Sequence, residues 1–312
     1  MNINDWLASS GLDRLDAELI LAHTLKKPRE WILAHGEFEI PDQTRGSADK
    51  MARWRRDHEP LAYILGYKEF YGRKFVVTPD VLIPRPETEQ IVEIAKKLLD
   101  EDFLPSHVKT YIPDDADRFV REDGSAGRPV YDVFTSDGSE ERTVSSRSTL
   151  LDVGTGSGAI AITLALECPT AQIAATDISD AALRIARRNA RDLGAKVKII
   201  RSNLLENVTG KFDIITANLP YVAQEWQVSP DVAYEPKIAL FAKDGGLELI
   251  KKLIQQAPDH LEPNGFLVLE LDPRQTKSIQ QYASKHSFLT ITKKPYLLVL
   301  QRRRIPEATE HE

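Results

Sequence analysis

A single cysteine in 312 residues, Cys168, leaves no partner for an intramolecular disulfide and no thiolate set for a cysteine-rich zinc site. No apolar run reaches the ~20 residues that cross a bilayer as a helix. The start, Met1–Ser10, lacks the basic and apolar regions of a secretory leader. Basic charge is not in excess either. Lys and Arg number 41 against 47 Asp and Glu, a net charge of −6, which disfavours tight binding to naked nucleic acid. The basic patches at Arg53, Arg55 and Arg56 and at Arg302–Arg304 read as solvated helix and tail charges. These absences point to a cytoplasmic protein that uses no metal and no membrane. What remains is ordinary for a globular chain: 42% hydrophobic and 28% charged residues, with room for two domains.

The apolar run Phe212–Ala217 has the makeup of a buried parallel strand, and it ends in Asn218-Leu219-Pro220-Tyr221. Asn218 offers an amide donor and a carbonyl acceptor, and Tyr221 offers a flat ring. Pro220 restricts Leu219 to extended backbone and so fixes the direction of its carbonyl. Two fixed acceptors beside a flat ring suit a planar –NH2 group on a carbonyl or a base. A strand-to-loop corner that merely contains Asn and Pro is the plainer alternative.

A second strand, Leu150–Val153, runs into Gly154-Thr155-Gly156-Ser157-Gly158 and then into an alanine-rich helical stretch. Glycines in such a turn let backbone approach a nucleotide-like ligand closely. The spacing is Gly-x-Gly-x-Gly and not G-x-G-x-x-G, and Asp152 precedes the first glycine by two residues. A carboxylate there would repel a pyrophosphate and suit an ammonium or sulfonium. Asp177 ends the next apolar run, where a carboxylate can accept both hydroxyls of a ribose. These features favour S-adenosylmethionine over a nicotinamide cofactor.

Strand-like runs recur at 149–153, 172–176, 196–201, 212–217, 265–271, 289–293 and 296–301, with helical patterns at 158–167, 179–193 and 246–261. The alternation predicts a doubly wound α/β sheet, and the short link before the last run predicts a terminal antiparallel hairpin. Seven strands ending in a hairpin characterise class I S-adenosylmethionine-dependent methyltransferases. Residues 1–75 read as a small helical domain, with Leu12, Leu15, Leu19 and Ala22 on one helix face and Ala48, Met51 and Trp54 on another. Residues 76–101 read as a linker hairpin and helix, and 148–305 as the catalytic domain followed by a tail at 306–312. Between them, 102–147 carries ten acids against six bases with scattered Gly and Pro, an acidic insertion that is flexible or a small hairpin. Tyr63, Tyr67, Phe70, Tyr71 and Phe75 are expected to pack between domains.

The chain resembles the N5-glutamine methyltransferases that modify peptide chain release factors, the PrmC/HemK family. The likeness rests on Glu59–Gly66, Glu69-Phe70, Val81–Glu89 (Val-Leu-Ile-Pro-Arg-Pro-Glu-Thr-Glu), the glycine turn, Asn218–Tyr221 and Tyr234–Phe241. It covers the whole chain except 102–147. The resemblance implies an N-terminal substrate-binding domain joined through the Pro-Arg-Pro segment. It also implies methylation of the glutamine in the Gly-Gly-Gln loop of class 1 release factors. It further implies an acceptor site at Asn218, Leu219, Pro220 and Tyr221. The cofactor site it implies is formed by Gly154, Thr155, Gly156, Ser157, Gly158, Asp177, Asn203, Leu204 and Asn218.

Two positions depart from the family pattern. Leu219 stands where the family usually has a proline, and Asn203 where an Asp often lies near the adenine. Leucine still supplies a carbonyl, and an asparagine oxygen still accepts from the adenine amino group. Two other classes of reading stand beside this one. The same corner serves enzymes that methylate adenine N6 or guanine N2, against which stand the acidic charge and the Pro-Arg-Pro block. A non-catalytic binding module is opposed by the intact glycine turn, Asp177 and Asn218. A monomer is expected.

Overall fold

The computed structural model describes residues 1–99 and 148–303, so the expectations for 102–147 and the tail lie outside the described residues. Among the described residues no helix is long and apolar enough to cross a membrane.

The N-terminal part is helical at Ile3–Ser9, Arg14–Leu25, Arg29–Ala34, Asp42–Arg56 and Leu61–Leu65. Asn2 caps the first helix by accepting from the Asp5 amide at 2.8 Å. The core here is Ile3, Trp6, Leu7, Ala17, Ile20, Leu21, Ile32, Ala48 and Ala52. The expected stripe of helix 14–25 is therefore met only in part: Ala22 joins this core and Leu12 packs against it. Leu15 is exposed, and Ala17, Ile20 and Leu21 face the core. Local periodicity admits both stripes, and tertiary packing selects the one that meets Trp6 and Ile3. In helix 42–56, Ala48 and Ala52 are buried and Trp54 is largely exposed. Arg55 pairs with Asp16 at 2.6 Å and Arg56 donates to the Ser10 carbonyl at 2.9 Å, so two of these three arginines hold this domain together.

Helical structure ends at Leu65, before the expected limit of 75. The hairpin expected in 76–101 lies earlier, as β1 (Tyr67–Phe70) and β2 (Arg73–Val76). Left-handed Tyr71 and Gly72 make its turn. Phe70 and Phe75 meet edge to face at 6.0 Å between ring centres, and both are buried with Ile91, Val92 and Ala95 of helix Glu89–Leu99. The hairpin thus belongs to the core of the catalytic body, because two aromatics on one face of a two-stranded ribbon need a larger surface to cover them. Asn189, buried on helix Asp180–Leu193, accepts from the Val76 amide at 2.8 Å. Its Nδ2 donates to the carbonyls of Val76 and Ser157.

The main sheet contains β3 (Thr149–Val153), β4 (Gln172–Asp177), β5 (Lys198–Arg201), β6 (Phe212–Ala217), β9 (Leu261–Glu270), β10 (Phe288–Lys294) and β11 (Leu297–Arg302). A separate two-stranded pairing joins β7 (Val222–Ala223) to β8 (Phe241–Ala242). The main order is β10-β11-β9-β6-β3-β4-β5, with β11 antiparallel to both neighbours and β9, β6, β3, β4 and β5 parallel to one another. All seven expected strands form, in the class I methyltransferase arrangement. Alternate residues of β3 serve opposite layers. Leu151 faces helices Glu248–His260 and Thr276–Ser284, and Leu150 faces helices Ala159–Glu167 and Glu89–Leu99. The order reverses between β3 and β6, and ligands bind at the carboxyl ends of strands where such a sheet switches direction.

Candidate active site

Val153 lies opposite Ala217 in the parallel register, so the two sequence motifs leave the sheet side by side. Their contact explains the first glycine. A Cβ on Gly154 would come within 2.8 Å of Leu219 Cδ2, and the backbone there is left-handed at φ +72°. The Leu219 side chain is 4% exposed and joins the core beneath the turn. Gly156 differs: a Cβ there would meet nothing within 4 Å, so the turn faces open space at this point.

Asp152 does not face that space, contrary to the expectation that it meets a cationic cofactor directly. Its carboxylate is fully buried, taking hydrogen bonds from the Thr155 hydroxyl at 2.6 Å and the Thr216 hydroxyl at 3.0 Å. It therefore ties the glycine turn to β6. Burial pushes its pKa up to about 6, with the two hydroxyls opposing the rise and the Asp177 charge adding to it. Asp177 accepts from the Gly156 amide and the Ser179 amide, each at 2.9 Å, one on each oxygen. Burial raises its pKa too, against those backbone donors. Ser202 N donates to the Asp177 carbonyl, which brings Asn203 and Leu204 to the same edge. Asn203 Nδ2 is held by Glu206 at 2.7 Å, and Leu204 is buried with a left-handed backbone. The cradle fits S-adenosylmethionine. Gly156 opens it, and Asp177, with one backbone donor on each oxygen, keeps a lone pair on each for a ribose.

The corner at the end of β6 is fixed from three directions. Asn218 Nδ2 donates to Thr88 Oγ1 at 3.0 Å. The Tyr221 hydroxyl donates to Glu270 Oε1 at 3.2 Å, at the end of β9. Gln275 Nε2 donates at 2.8 Å to the carbonyls of both Tyr221 and Gly245. Gly246 lies against this backbone so closely that a Cβ would be 2.0 Å from the Tyr221 oxygen. Glu235 then holds the approaching segment. Its buried carboxylate accepts from the Ile83 amide at 3.0 Å and pairs with Arg85, while Tyr234 reaches the Asp57 carbonyl of the helical domain at 2.7 Å.

Thr88, Glu270, Gln275, Glu235 and Asn189 are absent from the candidate residues read in the sequence. Thr88 and Glu235 sit inside segments that carried the family likeness. Glu270 had its own signal, a lone carboxylate at the carboxyl end of an otherwise apolar strand. It is 2% exposed, and among the described residues no cation pairs with it. Burial pushes its pKa up to about 7, opposed by the Thr88 and Tyr221 hydroxyls and the Asn218 amide and reinforced by Glu87. Beyond Tyr221 opens a cleft of about 510 Å³ lined by Val222, Trp226, Asp272 and Arg274. Arg274 stacks on Trp226 at 3.6 Å and grips Asp272 at 2.7 and 2.8 Å.

The seven-stranded sheet, with its glycine turn lying against the Asn218–Tyr221 corner at the carboxyl edge, defines a class I methyltransferase. Comparisons with known proteins narrow this. The PrmC N-terminal domain family matches residues 5–66 and the Methyltransferase small domain family matches residues 140–236. A release factor glutamine methyltransferase of Neisseria gonorrhoeae is 35% identical over 100% of this chain and 99% of its own. That of Bordetella pertussis is 34% identical over 86% of this chain and 85% of its own. A bifunctional methyltransferase of Rickettsia bellii is 35% identical over 88% of this chain, which spans 48% of that protein. The chain belongs to the release factor glutamine methyltransferase family.

Proposed function

We propose that the protein transfers a methyl group from S-adenosylmethionine to the side-chain amide nitrogen of the glutamine in the Gly-Gly-Gln loop of class 1 release factors. It does so as a cytoplasmic monomer. The observation that carries this reading is the contact between the glycine turn and the Asn218–Tyr221 corner, fixed by Gly154 against Leu219. The matched relatives named as release factor glutamine methyltransferases support the substrate.

An amide nitrogen is a poor nucleophile, because its lone pair is delocalised, and no side chain deprotonates it at neutral pH. Orientation is what this chain supplies. The Asn218 side-chain oxygen and the Leu219 carbonyl accept the two amide protons, Pro220 fixes the backbone and Tyr221 covers the amide plane. Such positioning is worth up to ~7–11 kcal/mol of barrier. When bound, S-adenosylmethionine supplies an electrophilic methyl on a sulfonium. Asp177 would take the ribose hydroxyls, the turn Gly154, Thr155, Gly156, Ser157 and Gly158 would hold the cofactor by its backbone, and Asn203 and Leu204 would border the adenine. The Trp226–Arg274 face receives the two glycines that precede the glutamine, since residues without Cβ lie flat on a planar surface. The helical domain, ending at Leu65, holds the body of the release factor, and the hairpin Tyr67–Val76 belongs with the catalytic body.

The test is incorporation of isotopically labelled methyl into a recombinant class 1 release factor, with a variant factor carrying alanine at the Gly-Gly-Gln glutamine and with DNA and RNA as parallel acceptors. Label only in the intact factor is expected. Label in nucleic acid would favour base methylation, and cofactor binding without label anywhere would favour a non-catalytic module.

A further inference from the structure

Asn218 serves the reaction only in one of its two amide orientations. With its oxygen toward the acceptor it receives a substrate N–H, and with its –NH2 there it meets the substrate –NH2 donor to donor. We infer that Glu270 and Thr88 set this orientation as a positioning pair: the ionised Glu270 carboxylate draws the Thr88 hydroxyl proton, which leaves Thr88 Oγ1 to accept from Asn218 Nδ2 and turns Asn218 Oδ1 toward the acceptor site. This goes beyond the proposed function and rests on it.

Three observations carry the inference. Asn218 Nδ2 donates to Thr88 Oγ1 at 3.0 Å, so the single Thr88 proton must find another acceptor. Glu270 lies beside both groups and is 2% exposed. Its Oε1 receives Tyr221, whereas its Oε2 is buried with no hydrogen bond among the described residues, a costly state for a carboxylate that has no other use. Among the described residues no cation pairs with this carboxylate. The ionisable groups nearest it are Glu87 on the turn that carries Thr88 and Tyr221 on the corner. Asp272 and Arg85 act on Tyr221, whose hydroxyl donates to Glu270. Protonating Glu270 gives it a donor, which can reverse the chain: Glu270 donates to Thr88, Thr88 donates to Asn218 Oδ1, and Asn218 turns its –NH2 to the acceptor. Orientation then depends on pH. The pair is competent above the Glu270 pKa, raised by burial to about 7, and fails below it.

The experiment compares wild type, Glu270→Gln, Thr88→Val and Thr88→Ser with an intact class 1 release factor across pH 5.5–9. Wild-type kcat should fall roughly tenfold on the acid side, with its midpoint near the Glu270 pKa. Glu270→Gln and Thr88→Val should be at least tenfold slower at pH 8 and show no acid limb, with KM for the release factor little changed. Thr88→Ser should restore both rate and limb. In the protein without ligands, the Asn218 side-chain amide resonances should shift over the same pH range in wild type and stay constant in Glu270→Gln. The inference is overturned if Glu270→Gln keeps the wild-type rate or limb, or if its Asn218 resonances titrate as in wild type. Failure of wild type to methylate the release factor at any pH would instead count against the proposed function, and the resonance titration would still decide the orientation pair.

Discussion

Glu18 in the helical domain and Glu270 at the carboxyl edge of the sheet are each 2% exposed, yet they are opposites. Glu18 is held by Arg14 at 2.5 Å and Arg29 at 2.8 Å. Burial alone would raise its pKa, but the two guanidinium groups hold it below the usual carboxylate value. Glu270 has two hydroxyls and an amide in place of cations, and burial wins. A carboxylate that closes a structure is given its counter-charge. One kept near neutrality at a ligand edge is given polar groups that it can orient. The same contrast separates the Arg55–Asp16 pair of the helical domain from Asp152 and Asp177 beside the glycine turn.

The largest expected effect tests whether the polar edge does chemistry at all. Asn218→Ala should lower kcat by ~10²–10³-fold, about 3–4 kcal/mol by analogy with removal of an oriented hydrogen-bonding group from a transition state. S-adenosylmethionine affinity, read by calorimetry, should weaken only moderately. Unchanged kcat would remove Asn218 from the mechanism. Asp177→Ala should act in the opposite way, weakening cofactor affinity by roughly 10–100-fold through loss of charged hydrogen bonds, with kcat largely kept at saturation. Unchanged affinity would refute the ribose assignment.

The two glutamates sharpen the contrast through stability. Glu270 has a folded-state pKa above its unfolded value of 4.5. Its contribution is thus full below that value and is lost as pH rises through about 7. Glu270→Gln should therefore unfold at higher denaturant than wild type at pH 8, by roughly 1–3 kcal/mol, and match it near pH 4. Glu18 has a lowered pKa, so its contribution is present above the unfolded value and is lost as pH falls through the lower folded one. Glu18→Gln should cost about 1–2 kcal/mol at pH 8, limited because both arginines are partly in water. Shifts of the same sign in both variants would erase the distinction.

Leu219→Pro should have the smallest effect. Restoring the family's usual proline stiffens the corner, but the structure shows a buried leucine side chain under Gly154. A loss of about 1–2 kcal/mol in stability with kcat within a few-fold is expected. Inactivation with the fold intact would give the Leu219 side chain or amide a role of its own.

The sheet was legible because each strand is a short apolar run and the two motifs sit at strand ends, which any parallel sheet places on one edge. Asn218, Asp177 and the glycine turn follow from that rule. Thr88 and Glu270 do not, because residues 88, 218 and 270 meet only through the placement of β9 beside β6, and no local pattern encodes that neighbourhood. The face of helix 14–25 was legible only in part for a related reason: Leu15 and Ile20 are equally apolar, and only Trp6 decides between them. The early hairpin shows the same limit, since Phe70 and Phe75 become core residues through helix 89–99.

The central claim is that the corner holds a glutamine side-chain amide for methylation. Tandem mass spectrometry of a class 1 release factor, digested after incubation with the protein and S-adenosylmethionine, tests it most directly. The account predicts a single added methyl on the side-chain nitrogen of the Gly-Gly-Gln glutamine, absent with Asn218→Ala. A methyl at any other residue, or an unmodified glutamine beside a protein that binds the cofactor, would contradict it.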